Sequence, residues 1–125
     1  MRLTRLHQVG GHVEDLEQTR AFYCDVLGAR HLATFNPPGL LFFEFAGVRL
    51  LLEKSARPTT LYFWVDDIDA AFAELKSKGV TFEDEPHLIH KDETGIFDTP
   101  GSEEWMTFFR DPGDNVLALA TRRLT

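Results

Sequence analysis

The sequence predicts an α+β fold of two tandem βαβββ modules, and three observations carry that reading. The order strand, helix, three strands runs through the first half and again through the second. Val13-Glu14-Asp15-Leu16 returns 52 residues later as Val65-Asp66-Asp67-Ile68. Each copy stands between an extended segment and a helical pattern that stops at a glycine, Gly28 or Gly79. At 125 residues the chain is long enough for one core but not for two independent ones. We therefore expect a single domain over 1–125, with modules at about 5–54 and 59–122.

In the first module, Val9 and Val13 share a parity within Leu6–Val13, a strand with two glycines, Gly10 and Gly11, that leave space beside it. The acids Glu14, Asp15 and Glu17 favour a helix start, and Leu16, Phe22, Tyr23, Val26 and Leu27 fall on one helical face. After the loop at Asn36-Pro37-Pro38-Gly39, the apolar runs 40–45 and 48–53 flank Ala46-Gly47, which is a hairpin signal. Residues 54–59 read as a linker.

The second module opens on Thr60–Val65, rich in β-branched and aromatic residues. Asp66 and Asp67 then start a helix with Ile68, Ala71, Phe72 and Leu75 at i, i+3, i+4 and i+7. Residues 80–82, 86–90, 104–109 and 115–120 read as extended, with a turn at Asp111-Pro112-Gly113-Asp114. Residues 91–104, carrying Gly95, Pro100 and Gly101, read as a long loop ending beside Trp105 and placed to act as a lid.

Composition narrows the partners. A hydrophobic fraction of 43% with 26% charged residues suits a folded globular chain, and a formal net charge of −7 repels a phosphate backbone. Nucleic acid is not an expected partner. Cys24 is the only cysteine, so no intramolecular disulfide and no thiolate zinc cluster forms within one chain. The longest apolar runs are too short to cross a bilayer, and the first residues lack a signal peptide's apolar stretch. We expect a cytoplasmic protein with no membrane partner.

Three segments now carry a resemblance: Val13-Glu14-Asp15-Leu16, then 21–28 with Phe22-Tyr23 and Val26-Leu27-Gly28, then 108–119 with Phe108-Phe109, Asp111-Pro112, Asn115, Leu117 and Leu119. Together with the module order, they make the chain resemble the vicinal oxygen chelate superfamily of glyoxalases, bleomycin resistance proteins and extradiol dioxygenases. The resemblance implies that each module curls into half a cup, giving a cup-shaped mixed sheet flanked by helices, that the halves hold a divalent metal and a substrate, and that the chain pairs as a homodimer. The family's metal-ligand positions fall on Gln8, Leu51, Thr60 and Ala118, where His or Gln, Glu, His and Glu are typical. Only Gln8 can ligate, and a divalent ion needs several imidazole or oxygen donors to replace its water shell. We therefore expect no metal cofactor. A slipped register bringing Glu53 to the place of Leu51 would restore one carboxylate.

If those positions mark the cup face, period-two alternation puts Gln8, Gly10 and His12, then Arg49, Leu51 and Glu53, then Thr60, Tyr62 and Trp64, then Val116, Ala118 and Ala120 on it. The opposite parity is uniformly apolar and packs against helices. We thus expect a small organic ligand to meet Gln8, His12, Arg49, Glu53, Tyr62, Trp64, His87 and Trp105. His87 and His90, three apart in a strand, should face opposite ways, and His87 is the one expected to face the cup. His7 and His31 read as surface residues, Cys24 as inert, Asp66, Asp67 and Asp69 as helix capping, and Glu83-Asp84-Glu85 as solvated charge.

No nucleophile stands beside a base in the sequence, so no catalytic residue is assigned. The expected function is small-molecule binding without the usual metal. The alternative is a metal-dependent lyase, isomerase or dioxygenase with an altered ligand set.

Overall fold

The chain divides into two compact units in its computed structural model, which describes residues 1–124. One unit takes in Met1–Thr60 together with Asp111–Asn115, and the other Leu61–Arg110 together with the stretch from Val116 onward. The secondary structure has the α+β order expected, βαβββ twice, although the motif at 111–115 belongs to the first unit rather than to the second module.

The first unit holds β1 (Gln8–His12), α1 (Leu16–Ala21), a π-helical turn (Phe22–Val26), β2 (Arg30–Phe35), β3 (Leu40–Phe45) and β4 (Val48–Glu53). Its sheet runs β1-β4-β3-β2, with β1 parallel to β4 and the other pairs antiparallel. The Asp15 side chain caps α1 by accepting from the Gln18 N–H at 2.9 Å. The expected single helix instead widens after Ala21, and the π turn with its wider winding lets Tyr23 point into the core. Gly28 ends the segment at φ 71°, the left-handed conformation that favours glycine. Ala46 and Gly47, both at positive φ, make the two-residue hairpin. Strand β2, counted in the expected module order but not placed on particular residues, carries an irregularity between His31 and Ala33 that breaks its alternation.

Apart from Thr60, which falls to the first unit, the second unit holds β5 (Thr60–Trp64), α2 (Ile68–Ser77), β6 (His87–Asp92), β7 (Ser102–Arg110) and β8 (Val116–Leu124), in the sheet order β5-β8-β7-β6. Asp67 caps α2 through the Ala70 N–H at 3.0 Å, and Gly79 follows at φ 93°. Two expectations are corrected here. Residues 80–82 form only a bridge from Phe82 to Phe109, and β6 and β7 run into the expected loop, which shrinks to 93–101.

One face of each sheet is the core face. In the first unit Val13, Tyr23, Leu41, Phe43, Leu50 and Leu52 are buried, and in the second Ile68, Leu75, Phe109, Leu117 and Leu119 are. At about 1.5–3 kcal/mol for each fully buried side chain, each face stabilises its own unit. The opposite faces are left to do something else.

The segment at 111–115 fastens the first unit. Asp111 Oδ1 accepts from the N–H groups of Gly113 and Asn115 at 3.0 and 2.9 Å, and Oδ2 accepts from the Tyr23 hydroxyl at 2.6 Å and from Asn115 Nδ2 at 2.8 Å. Asn115 Nδ2 also donates to the His12 carbonyl at 2.6 Å, while Oδ1 accepts from the N–H groups of His12 and Thr59 at 3.0 and 2.9 Å. Every polar atom of Asn115's amide is thus satisfied in a buried site. Burial and the Asp111 carboxylate both push the Tyr23 hydroxyl's pKa well above its ordinary value, so the phenol stays a donor. Tyr23 of the Phe22-Tyr23 pair and the Asp111…Asn115 close, which carried the family resemblance, therefore do structural work.

Candidate functional site

The strand registers lay out the open face of the first unit as three rows. Gln8, Arg49, Glu44 and Arg30 form one, Gly10, Leu51, Phe42 and Ala33 the next, and His12, Glu53, Leu40 and Phe35 the third. Gln8, His12 and Glu53 are half-buried and Arg49 is exposed. The Arg49 guanidinium lies 5.6 Å from the Phe42 ring centre and 3.1 Å from His7 Nε2. Both imidazole nitrogens of His12 are engaged, Nδ1 with the Ala56 carbonyl at 2.8 Å and Nε2 with Glu14 at 3.1 Å. Gln8 Oε1 is buried and has no hydrogen-bond partner.

In the second unit, β5 presents Tyr62 and Trp64, each 61% exposed, while Leu61 and Phe63 turn inward. Trp64 is steadied by its Nε1–H donating to Asp66 at 3.0 Å. Parity places Ala118 and Ala120 of β8 and Met106 and Phe108 of β7 on the same side of the sheet. Ala118 is nonetheless fully buried and Ala120 nearly so, which makes the middle of β8 covered on both faces.

The histidines correct a parity argument. A register shift between Leu88 and His90 pairs His87 with Met106 and His90 with Glu104, so the two imidazoles share one face. His87 Nδ1 sits 3.0 Å from the Glu85 carbonyl and 3.4 Å from the Asp84 carboxylate, and His90 meets Phe97 edge-on at 5.6 Å. Trp105 goes the other way. It pairs with Thr121 on the side opposite Met106, under the Arg123 guanidinium at 4.4 Å, and its Nε1–H donates to Glu103 at 3.1 Å. The structure therefore does not bring Trp105 to the face of Tyr62 and Trp64. His31 is half-buried, edge-on to Phe43, rather than a free surface residue.

The segment 93–101 is a built turn fastened to β6. The buried Asp92 carboxylate accepts from the N–H groups of Ile96, Phe97 and Thr99 at 2.8, 3.0 and 3.4 Å. Burial alone would raise its carboxyl's pKa, but the amide donors outweigh burial and hold it below the usual range. Arg122 braces the turn from β8, donating to the Phe97 carbonyl at 3.1 Å and the Thr99 hydroxyl at 2.6 Å.

Parity across the hairpin could have found one residue that sequence reading left out. A two-residue turn at Ala46-Gly47 pairs Phe45 with Val48, and therefore Phe42 with Leu51 on the open face. The side-by-side histidines had no such signal, because the bulge shows only in the pairing.

The donor chemistry at the family's ligand positions does not fit a divalent ion. Leu51 and Ala118 offer hydrocarbon, Thr60 an uncharged hydroxyl and Gln8 a single amide. The β1–β4 ladder is regular, with Glu53 opposite His12, so no slip moves Glu53 to the place of Leu51. Among the described residues, no three His, Cys, Asp or Glu side chains gather as a metal-binding group. No helix among them is long and apolar enough to cross a membrane.

Fold and faces together define a two-module α+β protein with aromatic, amide and imidazole groups displayed on open sheet faces. The sequence model of the Glyoxalase/Bleomycin resistance protein/Dioxygenase superfamily matches residues 5–119, and the chain belongs to that superfamily. Among solved structures it is similar to TnmS3, an antibiotic binding protein from Streptomyces sp. CB03234, at 25% identity and a TM-score of 0.71 over 97% of this chain and 98% of that one. It is also similar to lactoylglutathione lyase from Agrobacterium tumefaciens, at 20% identity and a TM-score of 0.74 over 97% and 96% of the two chains. A superfamily protein from Alicyclobacillus acidocaldarius shares 20% identity at a TM-score of 0.70, over 97% and 94%. No curated protein matches the sequence.

Proposed function

We propose that the protein binds a small organic molecule on its open sheet faces and does so without the superfamily's divalent metal. One observation carries the reading: Tyr62 and Trp64 stand side by side on one face of β5, each 61% exposed, where core-filling aromatics would be buried. Large exposed aromatics on a strand, with an imidazole pair on the same face of their sheet, suit a flat ligand. The antibiotic-binding neighbour supports a binding role over a catalytic one. We further infer a homodimer, on the family likeness alone, working in the cytoplasm, which the single cysteine suits. The net charge of −7 disfavours nucleic acid as a partner.

Metal analysis of protein purified without chelator tests the metal-free half of the proposal. The expected content of zinc, iron, nickel and manganese is far below one equivalent. A full equivalent that disappears in Gln8→Ala would establish the rival reading, a lyase, isomerase or dioxygenase with an altered ligand set.

A further inference from the structure

Gly10 and Gly11 are neighbours in β1 with opposite surroundings. A Cβ on Gly11 would lie 2.8 Å from Asn115 Oδ1 and 2.9 Å from both Leu52 Cδ2 and Thr59 Cγ2, closer than real Cβ atoms come. Gly11 is bare because Asn115 of the fastened segment, Leu52 and Thr59 all press on it. A Cβ on Gly10 would meet only the Leu51 carbonyl oxygen, at an ordinary 3.8 Å. Packing does not explain why position 10 lacks a side chain, and glycine inside a strand weakens it.

The three rows of the open face suggest what the bare position leaves room for. Gly10, Leu51 and Phe42 form an apolar strip between a row carrying Gln8 and Arg49 and a row carrying His12 and Glu53. Residues four apart on a strand lie about 13 Å apart, so the two polar rows stand as walls on either side of the strip. Its Phe42 end is covered, since the Arg49 guanidinium leans over that ring at 5.6 Å and Phe35 meets it edge-on at 5.9 Å. Its Gly10 end is exposed. At the wall beside that end, Gln8 Oε1 is the acceptor with no partner, whereas both nitrogens of His12 are taken. The last torsion of a glutamine is broad, so rotation about it lets this oxygen meet a donor arriving on the strip.

We propose that Gly10 and Leu51 are the floor of a subsite for a flat ring bearing an N–H donor, and that Gln8 Oε1 accepts from that donor. The assignment rests on the small-molecule-binding reading and specifies the ligand's chemistry. A hydrogen bond to an otherwise unpartnered buried acceptor favours the donor-bearing ring over its isostere. Gly10→Val puts a side chain on the floor, its Cβ meeting only the Leu51 carbonyl oxygen at an ordinary distance, and suits a strand.

Indole and benzofuran have nearly the same shape, but only indole carries an N–H, and each can be titrated into 15N-labelled protein while backbone amide shifts are followed. Indole is expected to move the amides of Gly10, Leu51 and Phe42 together with the Gln8 side-chain amide, and to bind about fivefold or more tightly than benzofuran. Gln8→Leu should bring the two affinities together. Gly10→Val should abolish the shifts on this strip while raising the melting temperature by about 2–5 °C, whereas Gly11→Ala should lower it. A structural role for Gly10 gives the reverse, a fall in melting temperature with Gly10→Val. Equal affinity for the two rings, unchanged indole binding in Gly10→Val, or no shift on the strip overturns the assignment. If indole instead moves only amides around Tyr62 and Trp64, the subsite falls and the binding-protein reading stands; that reading fails separately, through the metal content.

Discussion

Asn115→Ala is expected to lower the unfolding free energy by about 3–5 kcal/mol, because it strands several buried partners at once. The N–H groups of His12 and Thr59 lose their acceptor, and the His12 carbonyl and one Asp111 oxygen lose a donor. Each orphaned buried group costs about 1–3 kcal/mol, with some relief as water enters the space left by the amide. Tyr23→Phe removes a single bond, the hydroxyl's donation to Asp111 at 2.6 Å, and should cost about 1.5–3 kcal/mol. Urea unfolding followed by far-ultraviolet circular dichroism measures both. A loss below about 1 kcal/mol for Asn115→Ala would mean that this network does not hold the first unit together.

Phe43→Ala should cost about as much, roughly 3–5 kcal/mol, by a different route. Phe43 is fully buried, stacks on Tyr23 with ring centres 4.7 Å apart, and takes the edge of His31 at 5.9 Å. Truncation opens a cavity against a phenol that is itself held by Asp111, so the surroundings have little freedom to close in. Phe43→Leu keeps most of the volume and should recover more than half of the loss on the same unfolding curves. Equal losses for the two variants would point to something other than the cavity.

Some of this architecture is readable from local chemistry. The Asp67 cap, the Ala46-Gly47 turn and the alternation of Thr60, Tyr62 and Trp64 against Leu61 and Phe63 each depend on near neighbours, and each stands as the residues imply. The π turn at Phe22–Val26 is different. It inserts an extra residue per turn that no period of 3.6 announces, and only the pull of Asp111 on Tyr23, 88 residues along the chain, makes sense of it.

The same limit governs the site. Which face of its own sheet Gln8, Arg49 or Tyr62 takes follows from a period of two. His90 does not follow it, because the bulge before it flips its parity and sets it beside His87. Trp105 falls in the expected strand 104–109 but next to the expected loop, which is what suggests the cup for it; the register of β7 turns it to the other side. The two glycines are alike in local sequence, and their opposite surroundings arise from Leu52, Thr59 and Asn115, all remote along the chain.

Tryptophan emission titrated with 8-anilinonaphthalene-1-sulfonate in excess EDTA, on the native chain and on Trp64→Phe, addresses the binding role most directly. Saturable quenching that survives the chelator and vanishes in Trp64→Phe, with Trp105 still present as an internal control, is the predicted result. Quenching that the chelator abolishes, or that is the same without the Trp64 indole, would contradict a metal-free ligand site on the face of β5.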